Sequence, residues 1–136
     1  MPLAPGDTAS LSKTITEADV QQFAALSLDT NPLHLDEEYA REARFGRRIS
    51  HGMLYGALVS AVIGTQLPGP GTIYISQSFT FLKPVFREDV ITATVTVTAV
   101  EAARRQAVLR TDCHNQHGTL VLTGEARVLL PPAAGQ

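Results

Sequence analysis

The run Ser50-His51-Gly52-Met53-Leu54-Tyr55-Gly56-Ala57-Leu58-Val59-Ser60-Ala61-Val62-Ile63-Gly64-Thr65-Gln66 decides the fold. Apolar or small residues fill almost every position, so a helix here is apolar nearly all round and belongs inside the protein. Ser50 is placed to cap its start, and Pro68-Gly69-Pro70-Gly71 breaks the chain after it. Gly56, Ala57, Ser60, Ala61 and Gly64 would let a sheet approach closely. The apolar part, Met53 to Ile63, is too short to cross a bilayer.

Toward the C-terminus the chain changes character. Thr72 to Phe81, Val90 to Val100, Gln106 to His114 and Leu120 to Leu130 are rich in Thr, Val, Ile and Phe and read as strands. Thr92 to Thr98 alternates at period two, the pattern of a half-buried strand. Asn115-Gln116-His117-Gly118 is a hairpin turn. Consecutive strands with short links form an antiparallel sheet, and one buried helix wrapped by that sheet is an α+β fold. The front half reads helical. Thr16 and Asp19 have capping-box spacing, so a helix starts near Glu17 and ends close to Asp29. Asp36, followed by Glu37 and Glu38, starts a short helix ending around Phe45-Gly46.

With 136 residues, 44% hydrophobic and 18% charged, and a net charge of -2, the chain is expected to form a single globular domain over 1–136, its ordered core about 11–130. The mildly acidic balance argues against a nucleic-acid surface. Arg47-Arg48 and Arg104-Arg105 read as solvated pairs. The single Cys113 has no internal partner and suits a reducing compartment. Cys113, His114 and His117 crowd too closely, without a second cluster, to make a good zinc site. Met1 to Asp7 lacks a signal-peptide pattern, which points to the cytoplasm with no membrane partner. Pro131-Pro132-Ala133-Ala134-Gly135 is expected to fray. Gly69-Pro70-Gly71 is no phosphate loop, and no Gly-x-Ser-x-Gly elbow is present.

Chemistry concentrates in Asp29-Thr30-Asn31-Pro32-Leu33-His34, at the exit of the first helix. Asp and His are the side chains that most readily move protons near neutral pH. The residue before proline is pushed out of the helical region, so Asn31-Pro32 turns the chain. Asp29 and His34 can then face one small volume, such as that of a water molecule. A plain turn, with Asp29 and Asn31 bonded to local backbone, fits the six residues equally well.

The ordered motifs resolve this. Asp29-Thr30-Asn31-Pro32-Leu33-His34, then Ile49-Ser50-His51-Gly52-Met53-Leu54, Leu67 to Tyr74, and Gln77-Ser78-Phe79 through Lys83-Pro84-Val85-Phe86 resemble the MaoC-like hydratase family. The similarity is to its short (R)-specific enoyl-CoA hydratases, over about Leu11 to Leu130. The resemblance implies a hotdog fold and a homodimer with active sites at the subunit interface. It also implies hydration of trans-2-enoyl-CoA to (R)-3-hydroxyacyl-CoA, with no metal or redox cofactor. Its roles map onto Asp29 and His34 as the catalytic pair and Gly52 as the backbone N–H facing the thioester oxygen. Ser60 matches a supporting polar position, and Ile63 one lining the acyl pocket.

The residues have plainer alternatives. Gly52 would also serve close packing, and Ser60 would also bond its own helix backbone. Asn31 orients Asp29 or braces the loop, and His51 reads as a structural histidine near the helix start. Lys83, Arg87 and Arg47 are possible partners for CoA phosphates but equally ordinary surface charges. Competing functions are a dehydratase of a CoA- or carrier-bound 3-hydroxyacyl thioester and a non-catalytic acyl-CoA-binding subunit.

Overall fold

The computed structural model describes residues 2–132. The rest of the tail expected to fray, from Ala133, lies outside them. In chain order the elements are β1 (Thr8–Thr14), α1 (Glu17–Ser27), α2 (Pro32–Leu35), α3 (Glu37–Arg41), α4 (Gly52–Thr65), β2 (Ile73–Phe81), β3 (Val90–Glu101), β4 (Gln106–His114) and β5 (Leu120–Leu129). The strands form one antiparallel five-stranded sheet in the order β1-β3-β4-β5-β2.

Period two is what makes β3 a strand. Ile91, Ala93, Val95 and Val97 point into the core at 1% exposure or less, while Thr92, Thr94 and Thr96 occupy the other face. On β4, Ala107, Leu109, Thr111 and Cys113 are buried in the same alternation. The hairpin between β4 and β5 forms as its sequence requires. The side chain of Asn115 accepts from the N–H groups of His117 and Thr119, and Gly118 takes a φ of 76°.

The core is closed by α4, which lays Tyr55, Val59, Val62 and Ile63 on the sheet. Glycine permits the approach at Gly56, where a Cβ would stand 2.9 Å from the Phe79 ring. At Gly64 a Cβ would meet nothing within 4 Å, so the small-residue run does not serve the sheet throughout. The helix is also not enclosed on all sides. Met53, Ala57, Ser60 and Gly64, a stripe at helical spacing, are exposed.

Several expectations need correction. The sheet gains a fifth strand, β1, in a segment read as leading into helices, and ordered structure therefore begins before Leu11. Ser50 does not cap α4; the N-cap is His51, with no side-chain bond, and the Ser50 hydroxyl donates to the His51 carbonyl instead. The Asp36-capped helix α3 stops at Arg41, short of Phe45-Gly46. Arg48 is not a solvated charge but 8% exposed. The capping box of α1 is present as read, with reciprocal bonds between Thr16 and Asp19. Among the described residues, no helix is long and apolar enough to cross a membrane.

Candidate active site

The hexapeptide forms more than a turn. Leu28, in the left-handed region at φ 66°, ends α1, and Asn31 then caps the one-turn helix α2 by accepting from Leu33 N–H at 3.0 Å. Pro32 sits at its first turn, where a missing N–H is harmless. Asn31 thus braces the loop. Its own N–H reaches the Asp29 carboxylate at 3.3 Å, so it also touches the residue it was expected to orient.

One turn of α2 carries His34 inward until it is buried, while Asp29 stays exposed. The Nδ1–H of His34 donates to the Ile49 carbonyl at 2.8 Å. A carbonyl only accepts, so this bond fixes the tautomer and leaves Nε2 with its lone pair. Burial pulls the His34 pKa down from 6.5, opposed by the Ile49 bond, pushed further down by His51 and up by Asp29. The ring is therefore neutral at pH 7.

His34 is held from two sides. Its backbone carbonyl accepts from Arg48 Nε at 2.7 Å, and the same guanidinium forms a two-pronged pair with Glu17 at 2.8 Å on each arm. Glu17 also receives Arg87, and both arginines reach Glu37. The Arg48 bond drops the Glu17 pKa to about 2, against the opposing effect of burial. Against its other face His34 stacks on His51, ring centroids 4.0 Å apart and planes 28° from parallel. Arg48 was missed because its partner Glu17 lies 31 residues away, beyond any local pattern.

Asp29, His34 and His51 bring potential ligand atoms within 4.8 Å of one another. A shared metal ion nevertheless fits poorly. Imidazole lone pairs lie in the ring plane, and two stacked rings send them alongside each other rather than toward one ion. Nor do Cys113, His114 and His117 gather. The Cys113 thiol faces the core, its pKa pushed up to about 12 by burial.

Asp29 and His34 open onto a groove of about 720 Å³, lined also by Phe45, Gly52, Met53, Tyr55 and Phe81. Gly52 is the first residue of α4, where helix N–H groups lack intrahelical acceptors and no side chain caps them. The positive end of the helix dipole faces the same space. A Cβ at Gly52 would lie 2.5 Å from Phe81 Cε1, so glycine also lets that ring fold over the helix end. Lys83 lines the groove, whereas Arg87 is engaged by Glu17 and Glu37, and Arg47 lies 3.6 Å over the Phe86 ring.

The two other expected residues are not brought to this groove within one chain. Ser60 is exposed, eight residues and therefore about 12 Å along α4 from Gly52. Ile63, at 2% exposure, is packed in the core and does not line the groove.

Comparison with known proteins agrees with this architecture. The family model of the MaoC-like domain matches residues 4–117. The (R)-specific enoyl-CoA hydratase of Rhodospirillum rubrum is 50% identical over 126 residues, which cover 93% of this chain and 87% of that protein. The 3-hydroxybutyryl-CoA dehydratase of Methylorubrum extorquens is 43% identical, covering 95% and 82%. A solved structure, the (R)-hydratase from A. caviae involved in PHA biosynthesis, superposes with a TM-score of 0.91 at 50% identity, covering 95% of this chain and 98% of that one. The five-stranded antiparallel sheet with α4 packed against it is thus a hotdog fold. Matched by that family model over most of its length, the chain belongs to the MaoC-like domain family.

Proposed function

We propose that the protein is an (R)-specific enoyl-CoA hydratase, adding water reversibly to trans-2-enoyl-CoA to give (R)-3-hydroxyacyl-CoA. The observation that carries this is the meeting of Asp29, His34 and the open N-terminus of α4 at one groove. A carboxylate oxygen of Asp29 and a ring nitrogen of His34 lie within 4.8 Å of each other. A water donating to both at ordinary distances spans about 4.6 Å. Relatives named as a hydratase and a dehydratase, at 50% and 43% identity, support the same chemistry in its two directions.

Addition of water needs a proton removed from the nucleophile, a proton delivered to C2, and stabilisation of the thioester oxygen as it gains charge. Asp29 and the Nε2 of His34 hold the two hydrogens of the water and aim its lone pair at C3. His34 is neutral, so its only N–H is the one committed to the Ile49 carbonyl. Neither a carboxylate nor this imidazole has a proton to give at the outset. The proton delivered to C2 is therefore one lost by the water; in this proposal Asp29 takes it and passes it to C2 on the same face of the alkene. The N–H of Gly52 receives the developing enolate oxygen. These protons and N–H donors suffice for the chemistry, which calls on no metal or redox cofactor.

A second copy of the chain completes the assembly in this proposal. At the sheet edge β2 exposes Ile73, Ile75 and Phe81, Ile75 at 49%. Beside it runs the uncovered stripe of α4 from Met53 to Gly64. Unpaired strand edges with apolar side chains are sites for strand addition, and a homodimer joined there would bring Ser60 and the acyl tail into one tunnel. Its place is the cytoplasm, where acyl-CoA substrates and a lone reduced cysteine both belong.

The test follows the absorbance of the enoyl thioester with crotonyl-CoA, with chiral analysis of the product. The wild type should bleach the band and yield the (R) alcohol. Asp29→Asn and His34→Ala should each lose at least ~100-fold in turnover while remaining folded. Near-wild-type turnover in either variant removes that residue from the mechanism. Free thiol would mean hydrolysis, and an unchanged band a binding subunit.

A further inference from the structure

His51 touches both members of the pair through different parts of one ring. Its Nε2 lies 2.9 Å from the backbone carbonyl of Asp29, and since a carbonyl only accepts, Nε2 carries the proton. Its face stacks on His34 at 4.0 Å. Phe23 of α1 packs against the same ring, centroids 4.9 Å apart and tilted by 59°. The residue is 1% exposed, so the ring has no room to adopt another position without disturbing its neighbours. Nδ1 is buried with no hydrogen-bond partner among the described residues. Phenylalanine would fill the same space between His34 and Phe23, so packing alone does not call for an imidazole. What the imidazole adds over a phenyl ring is the single N–H to Asp29.

We propose that His51 is a positioning residue that sets the separation between Asp29 and His34, its N–H fixing the Asp29 backbone and its stacked face fixing the His34 ring. This rests on the assignment of Asp29 and His34 as the reacting pair. His51 is also the N-cap of α4, directly before Gly52. One ring therefore registers both proton-moving groups against the helix end that receives the thioester oxygen. Arg48 meets the opposite requirement, holding the His34 backbone from the far side. Without His51 the Asp29 loop, exposed and tied otherwise through short local bonds, is free to drift from the water. A misplacement of about 1 Å in such a constellation lowers turnover by about 100-fold.

Two variants separate the two contacts. His51→Phe keeps a ring against His34 and Phe23 but has no N–H for Asp29, and its kcat should fall ~100-fold with KM within about twofold. His51→Gln restores a donor near the position of Nε2 without the ring, and should recover roughly tenfold of that loss. His51 is 1% exposed and its role in this proposal is to hold Asp29 and His34, so the loss is expected in kcat rather than KM. A folded His51→Gln or His51→Phe with kcat within about threefold of wild type overturns the proposal, as does a loss that appears in KM alone. Asp29→Asn and His34→Ala are run beside them. If those two stay active the pair itself is misassigned; if they are dead and the His51 variants are not, only the positioning role fails. Should His51→Phe not fold, the kcat and KM of His51→Gln decide the matter.

Discussion

Replacing Arg48 by Met should destabilise the protein far more than replacing Arg87 by Met, although both guanidinium groups reach Glu17 and Glu37. Burial makes the difference. Arg48 is 7% exposed at its side chain and Arg87 40%. Met fills much of the arginine stem, so the change is chiefly in the polar contacts. Arg48→Met strips the His34 carbonyl of its donor in a buried setting, at about 1–3 kcal/mol. It also removes the two-pronged bond to Glu17. That carboxylate is not stranded, because Arg87 at 2.9 Å and Gln21 at 2.9 Å remain, and it is 40% exposed. Its loss therefore adds only about 1 kcal/mol after solvent screening, well short of the ~3–5 kcal/mol for stranding a fully buried charge. The sum is roughly 2–4 kcal/mol, or a fall of about 10 °C in Tm for a domain of this size. Arg87→Met breaks only half-exposed pairs and should cost under about 1 kcal/mol. Thermal unfolding at one fixed protein concentration compares them, since assembly also shifts Tm. Equal shifts, or an Arg48→Met midpoint within about 3 °C of wild type, would refute the view that this guanidinium anchors His34.

Three further outcomes can be checked directly. Because burial lowers the His34 pKa below 6.5 and the proposed mechanism uses its neutral form, kcat/KM should hold above pH 6.5 and fall as pH drops through the lower value; a limb centred above 6.5 would contradict the buried, neutral imidazole. At Gly52, both Ala and Pro bring a Cβ against Phe81, a half-exposed ring able to move, but only Pro deletes the N–H. His51 already has the φ of -57° and ψ of 132° that suit a residue before proline, so Gly52→Pro should fold yet lose ~100-fold or more beyond Gly52→Ala; equal activities would dismiss the oxyanion role. Cys113, fully buried with its pKa pushed to about 12, should resist thiol reagents in the folded protein and react once unfolded. Fast labelling of the native state would show that the sheet opens over it.

Much of the fold was legible because it rests on local rules. The alternation Thr92 to Thr98 places every second side chain on one face whatever the rest of the chain does. The Thr16–Asp19 capping box, the Asp36 cap and the Asn115–Gly118 turn are bonds between near neighbours. β1 escaped notice because Thr8 to Thr14 offers only Ala9 and Leu11 as apolar residues; its identity as a strand comes from pairing with β3. The opening of α4 misled in a similar way. Ser50 has a capping residue's chemistry, but its N–H is drawn to the Val85 carbonyl and the helix starts one residue later than a Ser50 cap would allow.

Sequence alone determined the helix-and-sheet composition, the apolar character of α4, and the placing of Asp29 and His34 across an Asn-Pro turn. These follow from periodicity and from φ restrictions that act over a few residues. Only the tertiary structure decided what those two residues are attached to. The pair is set by Arg48 reaching across 31 residues to Glu17 and by His51 across 22 residues to the Asp29 carbonyl. Such contacts exist only once α1, α2 and the start of α4 are packed together, because burial makes an arginine fork and a stacked imidazole rigid where solvent would leave them loose.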